Sequence, residues 1–182
     1  SAGMKVLCVS DQIDPLVYSS NIKERYKDID LVISAGDLPM EYLDFIVSSL
    51  NKPVLFVFGN HNLNEYGTYH RIDQSGPHTD KYQSAMTSHG TTYIGFKTIR
   101  EGGLLIGGIS GSIRYNNGLN QYTDAQMKLK LIGLIPALIL NKLRYGRYLD
   151  ILVTHASPEG IHDKPDACHK GFASFLWFMK VF

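Results

Sequence analysis

Asp11, Asp37, Asn60 and His155 each stand two or three residues beyond a short apolar run, MKVLCV, LVIS, VLFVF and YLDILV in turn. Two carboxylates, an amide oxygen and an imidazole nitrogen make a mixed oxygen and nitrogen donor set, which suits Mn²⁺, Fe or Zn²⁺ better than a metal that prefers thiolate. A carboxylate shared by two such cations holds them roughly 3.5–4 Å apart, the separation that clamps phosphoryl oxygens and activates a water. Asp37 is the candidate for that bridging position. Any one of these residues alone is more simply a turn residue or a satisfied histidine. Four of them at successive strand ends, with Gly59-Asn60-His61 among them, shift the balance to a site. Gly59 permits a tight turn there, so that Asn60 points at the cations while His61 faces a substrate.

The elements that must position these side chains follow from the apolar runs. Each is short, rich in Val, Ile, Leu and Phe, and bounded by Gly, Pro, Asp or Asn, as expected of parallel strands buried on both faces. Loops leaving the carboxyl ends of such strands converge on one crevice, which would collect the scattered ligands. A short charged helix is expected over Asn21 to Asp28, and a longer one over Met40 to Leu50. In the longer helix Met40, Leu43, Phe45, Ile46, Val47 and Leu50 recur at helical spacing, as core contacts on a sheet do.

Residues Asn62 to Tyr82 are polar and broken by glycine and proline, and read as a long surface loop. TTYIGF and GGLLIGGIS are expected to pair antiparallel around a turn near Arg100 to Gly103, opening a second sheet. Thr123 or Asp124 caps a helix running towards Gly133, with Pro136 in the first turn of a continuation that ends near Gly146. Gly171 to Lys180 completes the series as an aromatic-rich helix. The glycines from Gly102 to Gly107 have the spacing of a phosphate loop, but Gly108-Ile109 stands in place of Lys and Ser or Thr, so a nucleotide loop is rejected.

With 182 residues, 44% of them hydrophobic, the chain can bury a core in one domain. A net charge of +1 offers no basic stripe for nucleic acid and no reason to expect a membrane partner. The apolar stretch from Leu129 to Leu140 is far below the ~20 residues that span a bilayer, and it contains Lys130 and Pro136. Cys8 and Cys168 form neither a disulfide framework nor a zinc motif, consistent with a reducing, cytoplasmic setting. Ser1 to Gly3 before Met4 are expected to be the remainder of a cleaved tag, leaving 4–182 as a single domain.

Taken together the motifs resemble those of the calcineurin-like metallophosphoesterases, over almost the whole chain. Ser10-Asp11 resembles the first motif, Gly36-Asp37-Leu38 the second, Gly59-Asn60-His61 the third and Thr154-His155 the fourth, in the family's order. Gly108 to Tyr115, followed by Gln121-Tyr122-Thr123-Asp124, resembles the segment carried between the third and fourth. The resemblance implies an α/β fold with a two-sheet α/β/β/α sandwich. It implies two divalent metal ions, with Asp11 on the first, Asp37 bridging, and Asn60 and His155 on the second. His61 would be the catalytic histidine, stabilising or protonating the departing oxygen as a metal-activated water cleaves a phosphomonoester or phosphodiester. Arg114, with Tyr115 beside it, suits a substrate phosphate because a guanidinium binds phosphate in bidentate fashion, surface exposure being the equal alternative. His169, in His169-Lys170-Gly171, would also meet substrate.

Three departures from the family pattern qualify that implication. Ile13 stands where a metal-binding histidine is expected and cannot coordinate, which weakens the first site unless Gln12 or Asp14 compensates. Asn62 replaces the acid that orients the catalytic histidine, and an amide cannot stabilise an imidazolium as a carboxylate does. The family's final Gly-His-x-His motif, which ligates both metals, has no counterpart before Phe182. The expectation is therefore either a truncated form or a domain lacking two ligands. The alternative to a small-phosphoester hydrolase is a catalytically weak scaffold of the same architecture that binds a protein partner.

Overall fold

Buried apolar strands and helices alternate from Val6 to Phe56 as the sequence patterning requires. A computed structural model describes residues 3–59, 90–116, 118–156 and 172–182. These divide into two compact units, the first holding the described residues up to Phe56 with 90–93, the second holding 57–59 and the described residues from Ile94 onward.

In the first unit, β1 (Val6–Val9), β2 (Leu31–Ser34), β3 (Val54–Phe56) and β4 (Thr91–Tyr93) form a four-stranded parallel sheet in that spatial order. Strands β2 and β3 are buried throughout, which accounts for their continuous runs of apolar residues. Strand β1 lies at the sheet edge and is only partly buried, with Cys8 exposed. Helix α1 (Ile22–Arg25) is shorter than the expected Asn21 to Asp28, and Asn21 makes no side-chain cap. Helix α2 (Met40–Leu50) has the expected bounds. It buries Tyr42, Leu43 and Ile46, whereas Met40, Phe45, Val47 and Leu50 are half-buried. The apolar spacing picked out Leu43 and Ile46 but passed over Tyr42, whose ring is buried although its hydroxyl is polar.

One sequence expectation is overturned here. Thr91–Tyr93 is the fourth parallel strand of the first sheet and is not the antiparallel partner of the glycine-rich strand. That partner is β5 (Lys97–Glu101), which pairs with β6 (Leu104–Ile109) across a turn at Gly102 and Gly103. The run TTYIGF is broken at Phe96, which adopts φ 59°, a left-handed conformation that interrupts an extended strand.

In the second unit β9 (Ile151–Thr154) runs parallel to β6, giving the order β5-β6-β9. The fourth apolar run thus belongs to a different sheet from the first three. The glycines of β6 serve packing: a Cβ on Gly108 would lie 2.4 Å from the Ile94 carbonyl oxygen, and one on Gly107 would lie 3.0 Å from the Leu149 side chain. Between β6 and β9 lie the two-stranded parallel pair β7 (Ser112–Ile113) and β8 (Gln121–Tyr122), then helix α3 (Asp124–Tyr145).

Helix α3 corrects the expectation of a break at Gly133. It is one helix of 22 residues, starting at a capping box of Thr123 with Gln126 and ending at Gly146 with φ 75°. Pro136 lies inside it. Both Pro136 and Ile132, whose carbonyl the proline cannot bond, are exposed, so the freed oxygen is available to water. On the opposite side Met127, Leu131, Leu134 and Leu138 join Ile109, Phe172, Phe175 and Phe178 in a buried cluster. At roughly 1.5–3 kcal/mol for each fully buried apolar side chain, this packing outweighs one missing helical bond. Helix α4 (Ala173–Val181) supplies Phe175 and Phe178 to that cluster. The Ser174 amide donates to Asp124 Oδ1 at 2.8 Å, joining the starts of α3 and α4.

Candidate metal centre

Strand β1 ends at Val9 and β2 at Ser34, and their parallel register pairs Val9 with Ser34. The two loops therefore leave the sheet side by side. The Ala35 amide donates to the Val9 carbonyl at 3.0 Å, and the Asp11 amide donates to the Gly36 carbonyl at 3.1 Å. Asp11 and Asp37 both adopt left-handed backbones, φ 63° and 59°, and Gly36 has φ 106°. Aspartate tolerates that region better than most residues, at a cost of roughly 1–2 kcal/mol, whereas Gly36 enters it freely. Non-glycine residues held in sparse backbone regions cluster at ligand sites.

The loop beyond Asp11 is folded on itself and anchored by aromatic rings. Asp14 Oδ1 accepts from the Leu16 amide at 2.8 Å, and the Asp14 amide donates to the Tyr42 hydroxyl at 3.4 Å. Tyr18 packs on Phe45 and Tyr42, with ring centroids 4.7 and 5.8 Å away. Burial pushes the Tyr42 phenol above its ordinary pKa, against a smaller opposing effect from the Asp14 amide. Ile13 is 45% exposed.

Strand β9 delivers the histidine. His155 directly follows Thr154, whose hydroxyl donates to the Ala156 carbonyl at 2.7 Å and turns the chain there. Asp11 and Asp37 stand on hydrogen-bonded neighbouring loops at the ends of β1 and β2 in the first unit, and His155 stands at the end of β9 in the second. Asp11 is exposed; Asp37 and His155 are half-buried. Carboxylate oxygens and an imidazole nitrogen are donors that suit a divalent cation.

Phe58 and Gly59, which precede Asn60, are held by Ser110 and Gly111 of the segment between the third and fourth motifs and by Asn120, which the sequence motifs did not single out. The Phe58 amide donates to Ser110 Oγ at 3.0 Å, and the Phe58 carbonyl accepts from the Gly111 amide at 2.9 Å. Asn120, buried and at φ 56°, donates through Nδ2 to the carbonyls of Phe58 at 3.2 Å and Gly59 at 2.7 Å. Its Oδ1 accepts from the Tyr122 hydroxyl at 3.0 Å. Gly111 has φ 95°, and a Cβ there would lie 2.5 Å from the Asn120 carbonyl oxygen. The signal available in the sequence was the position of Asn120 directly before the Gln121-Tyr122 segment. Asn60, His61, Asn62 and His169 lie outside the described residues.

Arg114 is exposed beyond β7, with its amide on the Tyr122 carbonyl at 2.8 Å and its Nη2 3.4 Å from the Gln121 carbonyl. The buried Gln121 side chain shapes this loop, accepting from the amides of Tyr115 and Asn116 at 3.2 Å each. Among the described residues no helix is long and apolar enough to cross a membrane.

No curated protein matches the chain. The family model of the calcineurin-like phosphoesterases matches residues 4–175, a span that takes in every motif from Asp11 to His155. The chain is a member of the calcineurin-like phosphoesterase family.

Proposed function

We propose that this protein is a metal-dependent phosphohydrolase that cleaves a small phosphomonoester or phosphodiester. The observation that carries the reading is the phosphoesterase family match over residues 4–175, supported by Asp11 and Asp37 on hydrogen-bonded loops at the ends of adjacent parallel strands. Asp11, Asp37, Asn60 and His155 are the proposed ligands of two divalent cations, with Asp37 between them. When bound, such cations neutralise phosphoryl oxygens and acidify water. The chain's own groups do the rest. The neighbouring left-handed backbones of Asp11 and Asp37 hold both carboxylates at the ends of adjacent strands before any ligand arrives. His61 holds a proton at the leaving oxygen, and Arg114 and His169 bind and orient the phosphate. Asn62 beside His61 supplies an amide without negative charge, which lowers the driving force for that proton transfer. A two-sheet α/β/β/α sandwich, a single domain over 4–182 and a cytoplasmic setting complete the proposal.

The test is metal uptake by calorimetry together with hydrolysis of p-nitrophenyl phosphate and its bis ester in the presence of Mn²⁺. Wild-type protein should take up metal and turn over at least one ester, and Asp37→Ala should lose both. Metal uptake by Asp37→Ala equal to wild type would remove Asp37 from the bridging role. A wild-type chain that neither binds metal nor turns over would leave the partner-binding scaffold as the better account.

A further inference from the structure

The outward face of α3 has a property that phosphoester chemistry does not use. Leu129, Ile132, Ile139, Leu140 and Leu143 are exposed at 69%, 44%, 48%, 51% and 78%, and Pro136 is exposed between them. Their spacing of three and four residues puts all six on one stripe, opposite the buried Met127, Leu131, Leu134 and Leu138. From 129 to 143 the stripe is roughly 21 Å long. Gly133 lies on the same side, and a Cβ there would meet nothing within 4 Å. Single exposed leucines are ordinary on a protein surface, but a continuous apolar stripe marks a surface that meets something apolar.

The charges beside the stripe select its occupant. Helical spacing places Lys128 and Lys142 along one border and Lys130 and Arg144 along the other. The single acid of α3 is Asp124, in its first turn, where its carboxylate accepts from the Ser174 amide. The ammonium groups of Lys128, Lys130 and Lys142 lie over the rings of Trp177, Phe96 and Tyr148, which holds these cations beside the stripe. Two copies joined through this face would set cations against cations, because the residues bordering the stripe are positive at both ends. An anionic surface meets the same pattern favourably. An apolar stripe flanked by Lys and Arg, on a helix that does not cross a bilayer, is the pattern of a helix lying in the headgroup plane.

We propose that α3 docks flat on an anionic lipid bilayer, with the Leu129 to Leu143 stripe at the acyl boundary and the four cations among the lipid phosphates. The chain's net charge of +1 conceals this, because the basic groups are concentrated beside one apolar face. The inference stands independently of the phosphohydrolase proposal.

Co-sedimentation of the 182-residue chain with vesicles tests it. Vesicles of phosphatidylcholine mixed with phosphatidylglycerol should retain the protein, and pure phosphatidylcholine vesicles should retain much less. Lys128→Gln and Lys142→Gln should each weaken retention about fivefold. The double variant Leu129→Glu with Leu143→Glu should lose it while keeping the wild-type circular dichroism spectrum, since both side chains face solvent. Raising the salt concentration on the wild-type protein provides an arm that needs no variant, and it should release the chain from the anionic vesicles. Wild-type protein that ignores anionic vesicles, or binding indifferent to salt and to the stripe, would overturn the proposal. So would a dimer in light scattering that the stripe variant splits while vesicles capture nothing.

Discussion

Asn120→Ala is the perturbation for which the structure supplies a magnitude. Asn120 is 5% exposed, and its side chain joins the Phe58 and Gly59 carbonyls at the end of the third motif's strand to Tyr122. Alanine removes all three bonds with unequal consequences. The Phe58 carbonyl keeps the Gly111 amide at 2.9 Å, and the half-buried Tyr122 hydroxyl can turn to water. The Gly59 carbonyl loses its 2.7 Å donor, and leaving a buried acceptor unpaired costs about 1–3 kcal/mol. Alanine at φ 56° adds about 1 kcal/mol of backbone strain that asparagine relieves with its short polar side chain. The expected loss is about 3 kcal/mol in urea unfolding, with Asn120→Gly about 1 kcal/mol less destabilised because glycine accepts the left-handed backbone. Because the same contacts place the chain entering Asn60 and His61, turnover should fall in both variants even where the protein is fully folded. A loss below about 0.5 kcal/mol in Asn120→Ala, or equal stability of the alanine and glycine variants, would refute this account of the clamp.

The remaining predictions touch different parts of the molecule. Gly108→Ala would bring a Cβ to 2.4 Å from the Ile94 carbonyl oxygen, so thermal unfolding should reveal a loss of about 1–3 kcal/mol or more; an unchanged melting temperature would mean that β6 moves aside easily. Pro136→Ala restores a donor for the Ile132 carbonyl on the exposed side of α3 and should stabilise the protein by about 1–3 kcal/mol in the same measurement, a neutral result showing that the proline bond is already replaced. His61→Ala should retain metal uptake while slowing turnover about 10²- to 10⁴-fold, and loss of metal with activity would make His61 a ligand instead. Asp150 is held below the usual carboxylate range first by its hydrogen bond from Arg147 and then by the Leu105 amide. A depressed folded-state pKa stabilises the fold above the unfolded value and is lost as pH falls through the folded one, so the penalty of Asp150→Asn should be full near neutral pH and shrink as pH falls through and below the ordinary carboxylate range. A penalty constant over that range would exclude the carboxylate charge as its cause.

The local chemistry of the chain was sufficient for most of the strands and for the order of the family motifs. A continuous apolar run such as VLFVF can only be a buried strand or core helix, and the residues ending each run carry their donor atoms wherever the fold places them. Helix ends were equally legible where a side chain caps the backbone, as at Thr123, or where glycine takes up a left-handed turn, as at Gly146. Partner choice was not legible, because it depends on groups distant in sequence. Thr91–Tyr93 has the same composition whether it extends the first sheet or begins a second, and only the packing of β3 against it decides. Pro136 signals a helix break by itself, yet the buried side of α3 holds the helix through it. Asn120 and Phe58 are 62 residues apart, and their bond follows from two strand ends meeting in space. Side-chain chemistry is a property of each residue, whereas pairing is settled by the total burial and hydrogen bonding of the folded chain.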